Sequence, residues 1–263
     1  MPLLSIITIN YNNCAGLQKT MESVFTQTFK DYEYIVIDGG STDGSKEYLL
    51  QHKERLSYFI SEKDNGIYDA MNKGVKEASG DFIMFLNSAD YLVQESVLGK
   101  AQKYIENKKA EIYYGNIEIK NEQETIERVT YPAELTLDFL ENSTINHQAS
   151  FIRSSLFKEL GSYDTTYNQA ADYAFYLKCF FYGKSFQYIN EVLVHYRLDG
   201  VSNLHNNAYK IEMKAAWKNI IPLYIDTLYE EHKTNSLLMQ HRAMQWAKKI
   251  NRYYHIIRSA LIK

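Results

Sequence analysis

The chain has 263 residues, with 29 lysines and arginines against 32 aspartates and glutamates, for a formal net charge of −3. That balance provides no global field for nucleic acid or an anionic membrane, so no nucleic-acid partner is expected, and the length suffices to bury a sizeable core in one domain with appendages. Cys14 and Cys179 form neither a CxxC pair nor a disulfide framework, which suits a reducing cytoplasm; the first apolar run is too short for a signal sequence, and no stretch approaches the ~20 apolar residues of a membrane span.

Apolar runs alternate with helical periods through the first half. "LLSIITI" (3–9), "YEYIVID" (32–38), "LSYFIS" (56–61) and "DFIMFLN" (81–87) read as strands, nearly continuous in apolar residues as strands covered on both faces should be. Between them, Leu17, Met21, Val24, Phe25 and Thr28 follow a helical period, as do Ile67, Ala70, Met71, Gly74, Val75 and Ala78. The expected fold is therefore α/β, a mostly parallel, doubly wound sheet with helices on both faces. Further on, "EIYYGNIEI" (111–119) predicts a strand, "NEQETIER" (121–128) an exposed turn, and "HQASFIR" (147–153) a strand with a helix behind it. "AADYAFYLKCFFYG" (170–183) is apolar almost all round and predicts a buried helix, and "SFQYINEVLVHYR" (185–197) a strand. From about 205 the chain reads as helices only.

In such sheets ligands bind beyond the carboxyl ends of the strands. Four polar clusters follow strands: "NYNN" (10–13), "DGGSTDG" (38–44), "EKDNG" (62–66) and "NSAD" (87–90). Each alone reads equally well as an ordinary capped strand–helix loop. Together they bring acids and amides to one rim. No GxGxxG follows the first strand, and "GKS" (183–185) lacks the earlier glycine of a P-loop, with Lys178 in its place. Gly39 and Gly40 permit close backbone approach to a planar ligand, Ser41 or Thr42 would cap the next helix, and Asp38 could accept the imide N–H of uracil.

"SIITINYNN", "IDGGSTDGS", "DNGIYDAMNKG", "GDFIMFLNSAD", "GSYDTTYNQAADYAFYLK" and "VHYRLDGVSN" follow one another over residues 3–203. In that order they resemble the inverting family 2 glycosyltransferases of GT-A fold, above all bacterial members that build cell-surface polysaccharides. The resemblance implies a GT-A nucleotide-sugar-binding and catalytic domain over 1–203 and a C-terminal helical extension over 204–263. It implies that Thr8, Asn10, Tyr11 and Asn12 hold nucleobase and ribose, with Asp38 as the acid after the second strand. Many relatives carry a second acid next, where this chain has Gly39. Asp64 and Gly66 would open a loop against the base, and Asp69, Asn72 and Lys73 would start the helix below the diphosphate.

"NSAD" stands at the family's Asp-x-Asp position. Asn87 and Ser88 fall among the nucleotide-binding residues, and Asp90 matches the last acid. His195 matches a histidine that completes the metal shell. One acid and one histidine, with diphosphate oxygens, would suit Mn²⁺ at least as well as Mg²⁺. Asp172 matches the catalytic base, and His147 and Gln148 are expected on the acceptor side. The implied reaction moves a sugar from a nucleotide-diphosphate donor, UDP-linked, to a hydroxyl of a glycan or lipid-linked acceptor. The opposing reading is a sugar-nucleotide-binding protein without catalysis, favoured by the depleted "NSAD" site. A nucleotidyltransferase would share the sheet but has no use for a base at Asp172.

Residues 242–263 carry basic residues and no acid. Ala243, Trp246, Ala247, Ile250, Tyr254, Ile257 and Leu261 form one helical stripe, with Arg242, Lys248, Lys249 and Arg252 on the other side. This suits a helix in a membrane interface, at the inner face of the cell membrane. It equally suits docking on the catalytic domain or on a second subunit of a homodimer.

Overall fold

The structure, a computed structural model, describes residues 1–106, 109–121, 124–197 and 207–234. The strands are β1 (Leu4–Asn10), β2 (Tyr32–Asp38), β3 (Tyr58–Ser61), β4 (Phe82–Phe85), β5 (Tyr91–Leu92), β6 (Ile112–Lys120), β7 (Thr125–Val129), β8 (Ser150–Arg153) and β9 (Phe186–Arg197). The helices are α1 (Cys14–Phe25), α2 (Ser45–Gln51), α3 (Ile67–Glu77), α4 (Val97–Ile105), α5 (Leu137–Asn142), α6 (Ser155–Glu159), α7 (Ala171–Phe181) and α8 (Asn207–Thr234). Among the described residues the nine strands form one sheet in the order β3-β2-β1-β4-β8-β6-β9-β5, with β7 paired to β6 beside that path. The first half, β3-β2-β1-β4, is parallel. In the second half β8 runs antiparallel to β4 and β6, β6 is parallel to β9, and β5 is antiparallel to β9.

Period-two alternation sends successive strand residues into two cores. On one face Leu4 and Ile6 of β1 join Leu17, Met21 and Val24 of α1 and Val97, Ala101 and Ile105 of α4 in one buried cluster. On the other face Ile7 and Ile37 meet α3 at Gly74, where a Cβ would lie 2.5 Å from Ile7 Cγ2. There Phe85 packs edge-on against Phe157 of α6, which stacks on Phe175 of α7 with ring centroids 4.6 Å apart. The expected buried helix is α7, in which every residue from Ala171 to Leu177 is buried.

Three local expectations change. Within 121–128, residues 125–128 belong to β7, which pairs antiparallel with β6 through Ile117 and Val129. Its charged residues face water on an edge strand, where charge discourages further pairing. His147–Ala149 forms a short 3₁₀ turn before β8. Neither Ser41 nor Thr42 caps α2, whose N-cap is Gly44 at φ 95° without a side-chain bond; Ser41 is committed to the rim described below.

The chain divides into two compact units, Met1–Lys218 and Asn219–Lys263. In the second, the backbone of 219–234 is helical. The 242–263 stripe, the "GVSN" end of the last motif and the rest of 198–206 lie outside the described residues. No described helix is long and apolar enough to cross a membrane.

Gly74→Ala tests the α3 face. Helix propensity alone would favour alanine by about 0.8–1 kcal/mol. Overpacking against Ile7, which is fully buried and has no room to yield, costs about 1–3 kcal/mol. Net destabilisation is expected as a lower urea midpoint; a higher midpoint would show the helix can shift.

Candidate active site

The rim is organised around one buried carboxylate. Asp38, at the carboxyl end of β2, is 0% exposed. Its Oδ1 accepts from Asn10 Nδ2 at 2.7 Å and from the Ser41 hydroxyl at 2.5 Å. Its Oδ2 accepts from Ser41 N–H at 3.0 Å and from the Ser61 hydroxyl at 2.6 Å. Two carboxylate oxygens offer about four lone-pair sites, and four donors fill them. Asp38 therefore has nothing left for an imide N–H; what it contributes is the shape of the rim. Asn10 extends the network to β4, because its Oδ1 accepts from the Ser88 hydroxyl at 2.8 Å.

Around this hub opens a cleft of about 1050 Å³ lined by Asn10, Tyr11, Gly39, Asp64, Asn87 and Asp90 among others. Tyr11 is 67% exposed over it. The space above Gly39 is taken by a neighbour: a Cβ there would stand 2.5 Å from Asp64 Oδ2 and 3.1 Å from the Tyr11 ring. A carboxylate from the β3–α3 loop thus occupies the place of a side chain at position 39. Asp64 Oδ1 accepts from Gly66 N–H at 3.0 Å. Asn12, at φ 46°, accepts from Thr42 N–H at 2.9 Å and braces the neighbouring loop. Lys19 and Arg197 also line the cleft and bring positive charge; Lys19 stands outside every motif, and Arg197 enters the sequence reading only as part of "VHYRLDGVSN".

Besides Asp38, four expected nucleotide residues do not line this cleft. Thr8 is fully buried and bonds the Tyr34 hydroxyl at 2.9 Å. Asn72 pairs with the backbone of Tyr163 in both directions, at 2.8 and 2.9 Å. Asp69 accepts from Asn65 N–H at 3.0 Å. Lys73 lies 2.9 Å from Glu62 and 3.6 Å from Asp69, so the pair braces the 62–66 loop rather than facing a ligand.

In "NSAD", Ala89 sits at φ 83°, a conformation costing a non-glycine residue roughly 1–2 kcal/mol. Thr20 holds it there: its hydroxyl accepts from Ala89 N–H at 3.0 Å and donates to the Asp90 carbonyl at 2.7 Å. Asp90 Oδ1 accepts from Arg197 N–H at 3.0 Å and Oδ2 from Gln148 Nε2 at 3.2 Å. Asn87 is half-buried, with Nδ2 3.1 Å from His147 Nε2, while its buried Oδ1 has no partner. An orphaned buried acceptor beside a carboxylate-bearing loop fits a hard cation with oxygen ligands.

His195 does not join them. Its strand pairs it with Tyr91, their rings 4.8 Å apart. Alternation puts both on the face opposite Asp90 and Tyr196. Its Nδ1 stands 3.3 Å from Glu118 Oε2 without hydrogen-bond geometry. Burial, then the charge of Lys120, pushes its pKa down to about 4 against the pull of Glu118. Among the described residues no group of three His, Cys, Asp or Glu gathers to hold a metal.

A second, small cavity shares Ile67 and Tyr196 with the cleft and is lined by Tyr68, His147, Gln148, Gln169 and Asp172. Asp172, buried in the first turn of α7, accepts from the Tyr68 hydroxyl on Oδ1 at 2.9 Å and from His147 Nδ1–H on Oδ2 at 2.8 Å. Burial, then the charge of Asp172, raises the Tyr68 pKa well above the phenol range, so it remains a donor. With Nδ1 protonated, neutral His147 accepts from Asn87 at Nε2, and the chain Asn87–His147–Asp172–Tyr68 joins cleft to cavity. Tyr68 was visible in sequence only as part of "DNGIYDAMNKG".

Residues 5–175 match the family described as Glycosyl transferase family 2. The uncharacterized glycosyltransferase Rv1514c of Mycobacterium tuberculosis is 39% identical over 183 residues, 67% of this chain and 68% of that one. The PGL/p-HBAD biosynthesis glycosyltransferase of Mycobacterium bovis is 32% identical over 185 residues, 68% of this chain and 70% of the other. S. aureus TarS 1–349, solved with UDP-GlcNAc, is similar in fold with a TM-score of 0.68 at 17% identity, covering 83% of this chain but 65%, under two thirds, of that one. The mannosyltransferase PcManGT of Pyrobaculum calidifontis, solved with GDP-Man and Mn²⁺, has a TM-score of 0.60 at 14% identity over 94% of this chain and 79% of its own.

The position of His195 has a measurable consequence. Its folded pKa lies below the ordinary value of 6.5, so the unfolded chain binds the proton first. Stability should be full above pH 6.5 and fall as pH drops toward 4, by no more than about 3 kcal/mol. His195→Gln should flatten that part of a stability–pH profile; an unchanged slope would show that the ring protonates freely in the fold.

Proposed function

Since the chain belongs to glycosyl transferase family 2, we propose that it transfers a sugar, with inversion, from a UDP-linked donor to a hydroxyl of a glycan or lipid-linked acceptor in surface-polysaccharide assembly. The observation that carries this reading is the half-saturated carboxylate of Asp172 at the cavity joined to the cleft. Tyr68 and His147 occupy one lone pair on each of its oxygens. A lone pair on each oxygen is left for an acceptor proton. TarS with UDP-GlcNAc and the M. bovis glycosyltransferase of PGL biosynthesis support the donor class and the kind of product.

The donor lies with its base between the Tyr11 ring and the Gly39–Asp64 surface. Asp64 Oδ2, rather than Asp38, accepts the imide N–H, which favours uracil. Lys19 and Arg197 line the diphosphate end. A divalent cation, Mg²⁺ or Mn²⁺, held by Asp90 and the Asn87 amide oxygen together with diphosphate oxygens, would offset charge that builds on the leaving group; PcManGT with Mn²⁺ supports its presence. The acceptor hydroxyl enters from the small cavity beside His147 and Gln148. As its oxygen bonds to the anomeric carbon, its proton passes to Asp172. The bond from that carbon to the phosphate oxygen breaks, and the nucleoside diphosphate leaves with the electron pair.

A panel of UDP- and GDP-sugars, assayed for nucleoside diphosphate release with alkyl glycosides as acceptors, selects the donor. With it, Asp172→Asn should lower turnover by roughly 10²–10⁴ and leave donor affinity within a few-fold of the parent. Near-parental turnover would remove Asp172 from the mechanism and return the non-catalytic binding reading.

Calorimetric titration of UDP with and without Mn²⁺ tests the donor site. Metal and UDP should bind cooperatively, each bringing ligands for the other. Asp90→Asn should abolish that coupling, and Asp64→Ala should weaken UDP by about ten-fold or more by removing a charged acceptor. Equal UDP affinity with Mn²⁺ and with chelator would show that "NSAD" keeps the shape of a metal loop without its ion.

A further inference from the structure

The turn that launches α7 is held from outside. Three successive backbone N–H groups donate to one carboxylate of α8: Asn168 to Glu212 Oε1 at 3.0 Å, and Gln169 and Ala170 to Oε2 at 2.8 and 3.0 Å. Ala170 is the N-cap of α7 and makes no side-chain cap bond. The 168–170 N–H groups precede the helix, beyond the reach of its carbonyls or of a cap side chain, and Glu212 is the acceptor they have. Two residues beyond the cap stands Asp172. Gln169 is pinned on its other side too: its carbonyl lies 2.8 Å from the Tyr68 hydroxyl, which is 2.9 Å from Asp172 Oδ1. The 169–170 peptide is thus held through the Ala170 N–H by Glu212, and its carbonyl shares the single proton of the Tyr68 hydroxyl with Asp172 Oδ1.

We infer that Glu212 is a positioning residue for the transfer reaction: by gathering the 168–170 N–H groups it sets the start of α7, and so where Asp172 meets the acceptor hydroxyl. The inference rests on the reading of Asp172 as the base. It makes the beginning of α8 part of the reaction machinery. Without the carboxylate, three donors lose a charged acceptor at once and the turn relaxes toward other geometries. Asp172 would then be displaced relative to His147 and Tyr68, while the cleft that holds the nucleotide, built from other loops, would keep its shape.

The test is a double-mutant cycle in the full chain, using the donor selected by the panel above. Glu212→Gln should lower kcat by about 10- to 100-fold, the scale of a displaced reacting group, with the UDP dissociation constant within about two-fold of the parent. In the Asp172→Asn background the same substitution should have no further effect, because its route of action is already gone. Glu212→Asp, which keeps the carboxylate, should recover most of the rate. It also serves if Glu212→Gln does not fold: its smaller kcat loss must then vanish in the Asp172→Asn background.

A substrate-free signature runs beside the kinetics: the His147 ring proton shared with Asp172, observed by NMR in ¹⁵N-labelled protein, should shift or broaden in Glu212→Gln. Parental kcat in Glu212→Gln, an effect that multiplies onto that of Asp172→Asn, or an unchanged His147 proton would each overturn the inference. Near-parental turnover in Asp172→Asn alone would instead overturn the base assignment on which it rests.

Discussion

A carboxylate with no access to water has to be satisfied by the protein, and Asp38 is such a group. Burying an unpaired charge costs many kcal/mol, so its four hydrogen bonds are a condition of folding rather than a decoration of the rim. They come from Asn10 at the end of β1, Ser41 in the β2–α2 loop and Ser61 at the end of β3, with Ser88 joined through Asn10. The loops after four parallel strands are therefore fixed by a single charge. The wall of the cleft is rigid because the alternative is an orphaned ion.

Four aspartates near the same rim stand in four different hydrogen-bond environments, and the number of donors around each sets what it has left to offer. Asp38 is saturated and structural. Asp64 spends one oxygen on Gly66 and turns the other toward Gly39 and Tyr11. Asp90 is anchored by a backbone N–H and an amide, which fixes its direction beside the unpartnered oxygen of Asn87. Asp172 is held from both sides by Tyr68 and His147 yet keeps lone pairs to spare. Chemical identity is common to all four; in the proposed reaction, hydrogen-bond occupancy is what would separate ligand, scaffold and base.

Among the described residues, the non-glycine residues at positive φ, Asn12 and Ala89, both stand on this rim. Each is held by a bond with another element: Asn12 Oδ1 accepts from Thr42 N–H, and Ala89 N–H donates to the Thr20 hydroxyl. Strain survives where surrounding contacts over-determine it. Here it aims the loops after β1 and β4 at one space, while the two hydrophobic layers beneath, α1 with α4 and α3 with α6 and α7, supply the stability that tolerates it.

The repetition of apolar strands and amphipathic helices, the placing of polar loops after the strands and the buried character of α7 were all legible in the sequence. They depend on period and composition, which are local. So was the grouping of Asn10, Tyr11, Asp64, Asn87 and Asp90 around one cleft, because parallel strands bring their carboxyl ends to one edge whatever their register. The sequence could not show that Asp38 is saturated, since its donors come from three other places in the chain. Nor could it show that His195 faces Glu118: whether a strand residue points to one face or the other follows from its pairing with Tyr91, and a shift of one residue would reverse it. The bond between His147 and Asp172, and the capture of the 168–170 turn by Glu212, join elements whose approach is set by packing. Periodicity assigns a residue to a face of its own element; only the tertiary structure decides what stands opposite.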